Sequence, residues 1–311
     1  MRQVSIAQYL LRQGHDVFLV GSLDGPEWLR AYVKSIARLQ LVAVTEGQFE
    51  LPLLAELSID VVLIDSYLLS QRDLDALQDL GARVAVMLDG PWQRLSGPVA
   101  FAPAFELNSG WLRTATKRFT HFYSGPAYFP LREEVVEIAQ RRPNGNPAPL
   151  PPPVVVSLGG GASKLEARVV SILLNLSVQV KLEIFFQPDF KLRRKIAASR
   201  HEVTVHPKGG DFLERVAHSR VTISALGSVA AELLYLGVPT VFVQAASNQS
   251  RNARSLANLR LGPVLQPTAY SFSRDLESSV GMLLHEAAIE KNQTIEIDSR
   301  GAQRIGEALL L

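Results

Sequence analysis

The stretch 222–262, TISALGSVAAELLYLGVPTVFVQAASNQSRNARSLANLRLG, constrains the fold more than any other part of the chain, because it reads as a β-α-β-α unit. An apolar run ends at Ser224 and is broken by Gly227 and Ser228. Ala230, Leu233, Leu234 and Leu236 then recur at helical spacing until Gly237, which suits a left-handed cap. Pro239 follows where a helix cannot continue. Residues 240–243, β-branched and aromatic, predict a short buried parallel strand, and the turn AASNQ feeds a second helix from about Ser250. Two strands are therefore expected to end side by side in loops that open helices.

Ligands of open parallel sheets bind beyond the carboxyl ends of the strands, where helix N-termini present backbone N–H groups and a partial positive charge. A diphosphate suits that environment. Gly227 lets backbone approach a phosphate without a Cβ in the way, and Ser228 can cap the helix or donate to a phosphate oxygen. Glu232, one turn further on, can accept two hydrogen bonds from a vicinal diol such as a ribose. The plainer alternative makes Ser228 a cap and Glu232 a solvated helix residue, and spacing does not separate the two.

At 311 residues, 47% of them hydrophobic, the chain suits two α/β lobes with buried parallel sheets. A formal charge of +2 with scattered Lys and Arg argues against a nucleic-acid footprint, and the dense basic run 191–195 reads as a solvated helix face. With no cysteine there are no disulfides or thiolate metal sites, which fits a reducing, cytoplasmic setting. No apolar run reaches membrane-spanning length, and the start, MRQVSIAQYLLRQG, does not read as a signal peptide. No cofactor and no metal are expected.

Val4, Ile6, Ala7, Leu10 and Leu11 predict an opening helix that ends at Gly14, followed by a strand over 16–21. That order is unusual, since doubly wound domains begin with their central strand. Further strands are expected at 41–44, 61–64 and 82–88, with helices at 51–57 and 73–80. Asp65, Ser66 and Tyr67 fall just past a strand, where active-site residues of such sheets collect. For Tyr67 the alternative is a buried tyrosine with a backbone partner. Asp89, in LDGP, reads as a turn cap; His15 as a structural or surface residue; His121, in an aromatic segment, as a satisfied core histidine. RRPNGNPAPLPPP, 141–153, reads as an interdomain linker with polyproline character. Beyond it, PVVVSLGGGASKLEARVVSILLNL reads as strand, glycine turn and helix; strands follow at 181–187 and 203–206, a short strand and loop at 263–267, and helices at 210–217, 274–290 and 302–311.

Ser224-Ala225, Gly227-Ser228, Glu232, Gly237-Val238-Pro239 and Asn248-Gln249 resemble the "SxxGS…E…LGVP…NQ" region of UDP-sugar-using GT-B proteins. The match is strongest to the UDP-2,4-diacetamido-2,4,6-trideoxy-β-L-altropyranose hydrolase family of the pseudaminic acid pathway, with its spore-coat polysaccharide relatives. VVVSLGGG at 154–161, VVLIDSY at 61–67, SGPAYFPLR at 124–132 and RGAQRI at 300–305 are similar to family segments in the same order.

The resemblance implies a GT-B fold, two Rossmann-like doubly wound domains facing a cleft: 1–140 on the water or acceptor side, 154–298 binding the UDP-sugar, and a terminal helix, 299–311, packing back on the first domain. It implies a metal-independent hydrolase that releases UDP from a diacetamido-trideoxyhexose nucleotide in nonulosonic acid or surface polysaccharide biosynthesis. A GT-B glycosyltransferase and a non-catalytic nucleotide-sugar-binding homologue are the alternatives. Tyr67 and Asp65 become catalytic candidates. Gly160, Gly161, Ser224, Gly227, Ser228, Glu232, Asn248, Gln249, Arg132 and Arg2 become substrate-binding candidates. The family opens with a strand and a "GxGHxxR" loop bearing the catalytic histidine. Arg2 matches that loop's arginine, so the first strand and the histidine are expected upstream of Met1, through a late start or a real loss. Because losing a central strand would leave the backbone edges of both its neighbours unpaired, the expectation is a late start.

Overall fold

The computed structural model describes residues 1–22, 27–44, 51–106, 109–141, 151–159, 163–209, 211–285 and 295–311. The chain forms two compact units, Met1–Arg132 with Ile295–Leu311 (unit 1) and Glu133–Thr294 (unit 2). Residues 142–150, most of the expected linker, lie outside the described residues, and so do Gly160 and Gly161.

Unit 1 runs α1 (Arg2–Arg12), β1 (Val17–Gly21), α2 (Glu27–Ser35), β2 (Leu39–Ala43), α3 (Leu51–Glu56), β3 (Val61–Ile64), α4 (Gln71–Asp79), β4 (Arg83–Met87), β5 (Gly97–Ala102), α5 (Gly110–Thr116) and β6 (Phe119–Ser124). Its strands are all parallel but form two sheets, β1-β2 and β3-β4-β5-β6. In the larger sheet the strand period decides the packing. Val84 and Val86 enter one core with Leu74, Leu77 and Ala100, while Ala85 and Met87 enter the other with Ile6, Phe101 and Ile305. The sequence did not announce α2, β5, α5 or β6. The strand β5, GPVAFA, opens on Gly-Pro and carries one β-branched residue, so its burial on both faces is what makes it a strand. His121 corrects an expectation: it is exposed on β6, an edge strand with one face toward solvent, and is not a core residue.

Unit 2 runs α6 (Glu133–Arg141), β7 (Pro153–Ser157), α7 (Ser163–Leu173), β8 (Lys181–Ile184), α8 (Phe190–Ala197), β9 (Glu202–Val205), α9 (Phe212–Ala217), β10 (Val221–Ala225), α10 (Val229–Leu236), β11 (Thr240–Val243), α11 (Ser250–Asn258), β12 (Val264–Leu265) and α12 (Phe272–His285). Six parallel strands make one sheet in the order β12-β11-β10-β7-β8-β9. Val154, Val156, Ile223 and Val241 join α7 and α12 residues such as Val169, Leu173, Leu276 and Val280 in one fully buried core. The helix α6 packs on α9 and α10, which is why unit 2 begins at Glu133 and not near residue 141. The last helix, α13 (Gly301–Leu310), belongs to unit 1 and packs on α1.

The end of α10 is as the sequence predicts. Gly237 takes φ 64° and ψ 33°. Its N–H reaches Leu234 O at 3.0 Å, and the N–H of Val238 reaches Leu233 O at 3.1 Å, the paired bonds of a Schellman motif.

Candidate functional site

In unit 2, β7, β10 and β11 lie side by side and end level: Ser157, Ser224 and Phe242 are register partners. The loops that follow these strands therefore emerge as one row. The loop after β10 opens α10 through exposed Gly227 and Ser228. Nothing stands within 4 Å of where a Cβ on Gly227 would be. Ser228 has helical φ and ψ, and its side chain caps nothing, so the capping alternative falls away. Glu232 is only 5% exposed, which removes the solvated-helix alternative. Ser224 is still within a strand covered on both faces. It is 2% exposed, and its hydroxyl donates to Ala225 O at 3.4 Å.

The loop after β11 carries Asn248, exposed in a 3-10 turn, and Gln249, whose Oε1 accepts the Ala245 N–H at 2.8 Å. That bond closes the turn, so Gln249 shapes the loop. Asn252 on α11 donates to Leu226 O at 3.2 Å and ties the two loops together, a role the sequence reading missed.

The loop after β7 is anchored by another missed residue. Glu166 on α7 is fully buried and accepts the Leu158 N–H at 3.0 Å. Lys208, after β9, lies 3.7 Å from the second Glu166 oxygen and donates to the carbonyl of Gly159, which has φ +83°. Burial pushes the Glu166 carboxyl up, against the pull of the Leu158 N–H and Lys208.

In unit 1 the carboxyl ends of β3 and β4 carry a side-chain network. Arg2, the first residue of α1, forks onto two carboxylates. Its Nε donates to Asp65 at 2.6 Å and one terminal nitrogen donates to Asp89 at 2.6 Å, while the other bonds both acids. Gln3 adds a bond to Asp65 at 3.0 Å, and the Tyr67 hydroxyl donates to Asp89 at 2.5 Å. Arg2, Asp65 and Tyr67 are thus brought together as a sequence-derived set, and Asp89 proves a full member of it instead of a turn cap. Buried tyrosine is also excluded, since Tyr67 is 57% exposed.

Burial pulls the Arg2 guanidinium down, but its bonds to Asp65 and Asp89 more than offset this and raise it. Although the Tyr67 ring is exposed, its phenol is pushed up to about 12, by partial desolvation and then by its bond to Asp89. It remains a hydrogen-bond donor across the physiological range. One cation against two carboxylates leaves the network with excess negative charge, so it repels phosphate. Arg2 is held between the two acids. Arg132 is partly buried at the last residue of unit 1 before α6.

Among the described residues, no group of three or more His, Cys, Asp or Glu is placed to hold a metal ion, and no helix is long and apolar enough to cross a membrane.

Two Rossmann-like α/β domains of this kind define the GT-B fold, and the chain has that fold. MurG of Acinetobacter baumannii superposes with a TM-score of 0.65 at 16% identity, over 99% of this chain and 95% of that one. The kitacinnamycin glycotransferase gives 0.68 at 17% identity, over 99% and 94%. The UDP-GlcNAc 2-epimerase of Methanocaldococcus jannaschii gives 0.63 at 12% identity, over 99% and 96%. No protein-family model and no curated protein matches the sequence. The resemblance to the pseudaminic-pathway hydrolases therefore stands on the motifs quoted above.

Proposed function

We propose that this protein binds a UDP-sugar through unit 2 and releases UDP by breaking the bond between the anomeric carbon and the diphosphate oxygen. The observation that carries this reading is the level row of loops beyond β7, β10 and β11, where α10 opens at Gly227 and Ser228 without a side-chain cap and Glu232 lies buried one turn inside. Uncapped N–H groups at a helix start favour an anion by about 0.3–2 kcal/mol and need no metal to do so. A diphosphate leaving group gains negative charge as the bond breaks, so the same groups stabilise the transition state more than the bound substrate. Glu232 accepts from the ribose hydroxyls, and exposed Asn248 faces the sugar side.

The motif resemblance assigns the handling of the nucleophile to unit 1. Its negative network suits a hydroxyl that must lose a proton and does not suit the diphosphate. Tyr67, held protonated, orients the nucleophile by donating, and the carboxylates of Asp65 and Asp89 accept. With water as nucleophile, one O–H proton passes to a carboxylate, the new C–O bond forms, and UDP leaves with the electron pair. The motif resemblance favours this hydrolase, acting on a diacetamido-trideoxyhexose nucleotide in nonulosonic acid or surface polysaccharide biosynthesis. A second reading replaces water with an acceptor hydroxyl. It is favoured by two of the solved structures of this fold, one called a glycotransferase and the other MurG, which stands with the glycosyltransferases.

Titration calorimetry with UDP tests the shared claim. Binding is expected, and Glu232→Ala and 2′-deoxy-UDP should each weaken it about tenfold or more, the worth of a hydrogen bond to a charged group. Equal affinity for UDP and 2′-deoxy-UDP would remove the ribose assignment. Product analysis with UDP-GlcNAc then separates free sugar from transferred sugar.

A further inference from the structure

We infer that unit 1 carries a saccharide-stacking platform, formed by the rings of Tyr67, on the loop after β3, and Trp92, on the loop after β4. The inference deepens the proposed function, on which its biological sense rests, by naming what lies against the unit 1 network.

Three of the large apolar side chains that unit 1 exposes stand on the loops after β3 and β4: Tyr67 at 57%, Leu68 at 65% and Trp92 at 48%. Exposed aromatic rings grouped at the mouth of a sheet mark a binding surface more often than chance. Tyr67 reaches Asp89 through its hydroxyl, and the Trp92 ring folds over the next residue, Gly90. A Cβ on Gly90 would lie 2.1 Å from that ring, so glycine here is the condition for the indole to lie flat on the backbone. This accounts for glycine at position 90.

The loop is pinned from beneath. Gln93 is 7% exposed, its Oε1 accepts the Asp89 N–H at 2.6 Å, and its amide donates to Met87 O at 3.3 Å. On the β3 side, the Leu68 N–H donates to the Ser66 hydroxyl at 3.1 Å. Both rings are therefore presented on fixed turns, which lowers the ordering cost of binding.

Aromatic faces beside ionised carboxylates match one ligand chemistry well. A pyranose ring offers an apolar C–H face to an indole or phenol and hydroxyl donors around its rim to Asp89 and Asp65. A phosphate would be repelled by the excess negative charge of the network.

Saturation-transfer NMR with octyl β-D-glucoside below its micellar concentration tests the assignment, because one molecule carries both a pyranose and an alkyl chain. Saturation is expected on the ring C–H protons, at millimolar affinity of about 4 kcal/mol. Trp92→Ala, at a half-exposed side chain, should reduce it at least about fivefold. Gly90→Asp, which displaces the indole without removing it, should do the same. Saturation confined to the alkyl chain, or ring saturation unchanged in both variants, would overturn the platform. UDP calorimetry on the same samples keeps the two claims apart. UDP binding with no ring saturation sinks the platform alone, and ring saturation without UDP binding sinks the nucleotide reading alone.

Discussion

The two units build their strand ends from the same kind of parallel sheet and equip them in opposite ways. In unit 2 the six strands are continuous, and Val154, Val155, Val156, Ile223 and Val241 at the centre are fully buried. In unit 1 the strands divide, and among the described residues β1 pairs only with β2 and β3 only with β4. Both strands at the division are less buried than β4 and β5. Where the sheet is unbroken, three loops emerge level and the site is made of backbone and helix ends. Where it is divided, the ends of β3 and β4 are organised by a charged side-chain network closed by Arg2 from α1. Helix-end N–H groups favour an anion, whereas a network of carboxylates favours hydroxyl donors.

The largest effect should come from breaking unit 1 while sparing unit 2. A Cβ on Gly301 would lie 2.1 Å from the Phe129 carbonyl oxygen, a backbone atom that cannot swing aside. Gly301→Ala should therefore lift the start of α13 from its seat and destabilise unit 1 by about 3 kcal/mol. Thermal unfolding followed by calorimetry should resolve an early transition for this variant, with UDP affinity kept. Loss of UDP binding in step with that transition would show that the sites are not separable.

Next in size is Arg2→Met, which leaves Asp65 and Asp89 facing one another without their cation. Their side chains are 21% and 22% exposed, so part of the uncompensated charge is solvated, and a cost of about 2 kcal/mol is expected. Turnover of a UDP-sugar should fall at least about a hundredfold with UDP affinity unchanged. Arg2→Lys keeps the charge but loses the fork onto two acids and should recover only part of the rate. Full activity in Arg2→Met would mean that the network is structural.

How far such features are legible in sequence differs between the units for the same reason. The β10 to α11 segment could be read because its signals are local: β-branched runs, the glycine at 237 and the proline at 239. The class of fold followed from that segment and from the motifs in order. Asp89 was not legible, because its partners are set by strand order. Arg2 lies 87 positions away and Tyr67 lies 22, and nothing in LDGP points to either. Glu166 and Lys208 were missed likewise, since their approach depends on β7, β8 and β9 lying in sequence order across the sheet. Ser224 is the opposite case. Its place in a motif suggested a ligand, while its place in a strand covered on both faces buries it.

The smallest effect tests the backbone-built half of the contrast. Burial raises the folded-state affinity of Glu166 for its proton above the ordinary value of 4.5. Between that value and the raised one the folded state holds more protons than the unfolded state, so this group's contribution to stability is complete below about pH 4.5 and is lost as pH climbs through the folded value. Glu166→Gln removes the titration while keeping an oxygen for the Leu158 N–H, and Lys208 retains its bond to Gly159. Urea denaturation of the variant should therefore show a flatter stability profile above pH 4.5, with a change within about 1 kcal/mol at neutral pH. UDP affinity should move by less than about threefold, because the loop after β7 is still tied down through the same backbone groups. A steeper decline with pH than in the parent would mean that the Lys208 ion pair, and not burial, sets the state of this carboxyl, and the site would then rest on side-chain charge in both units.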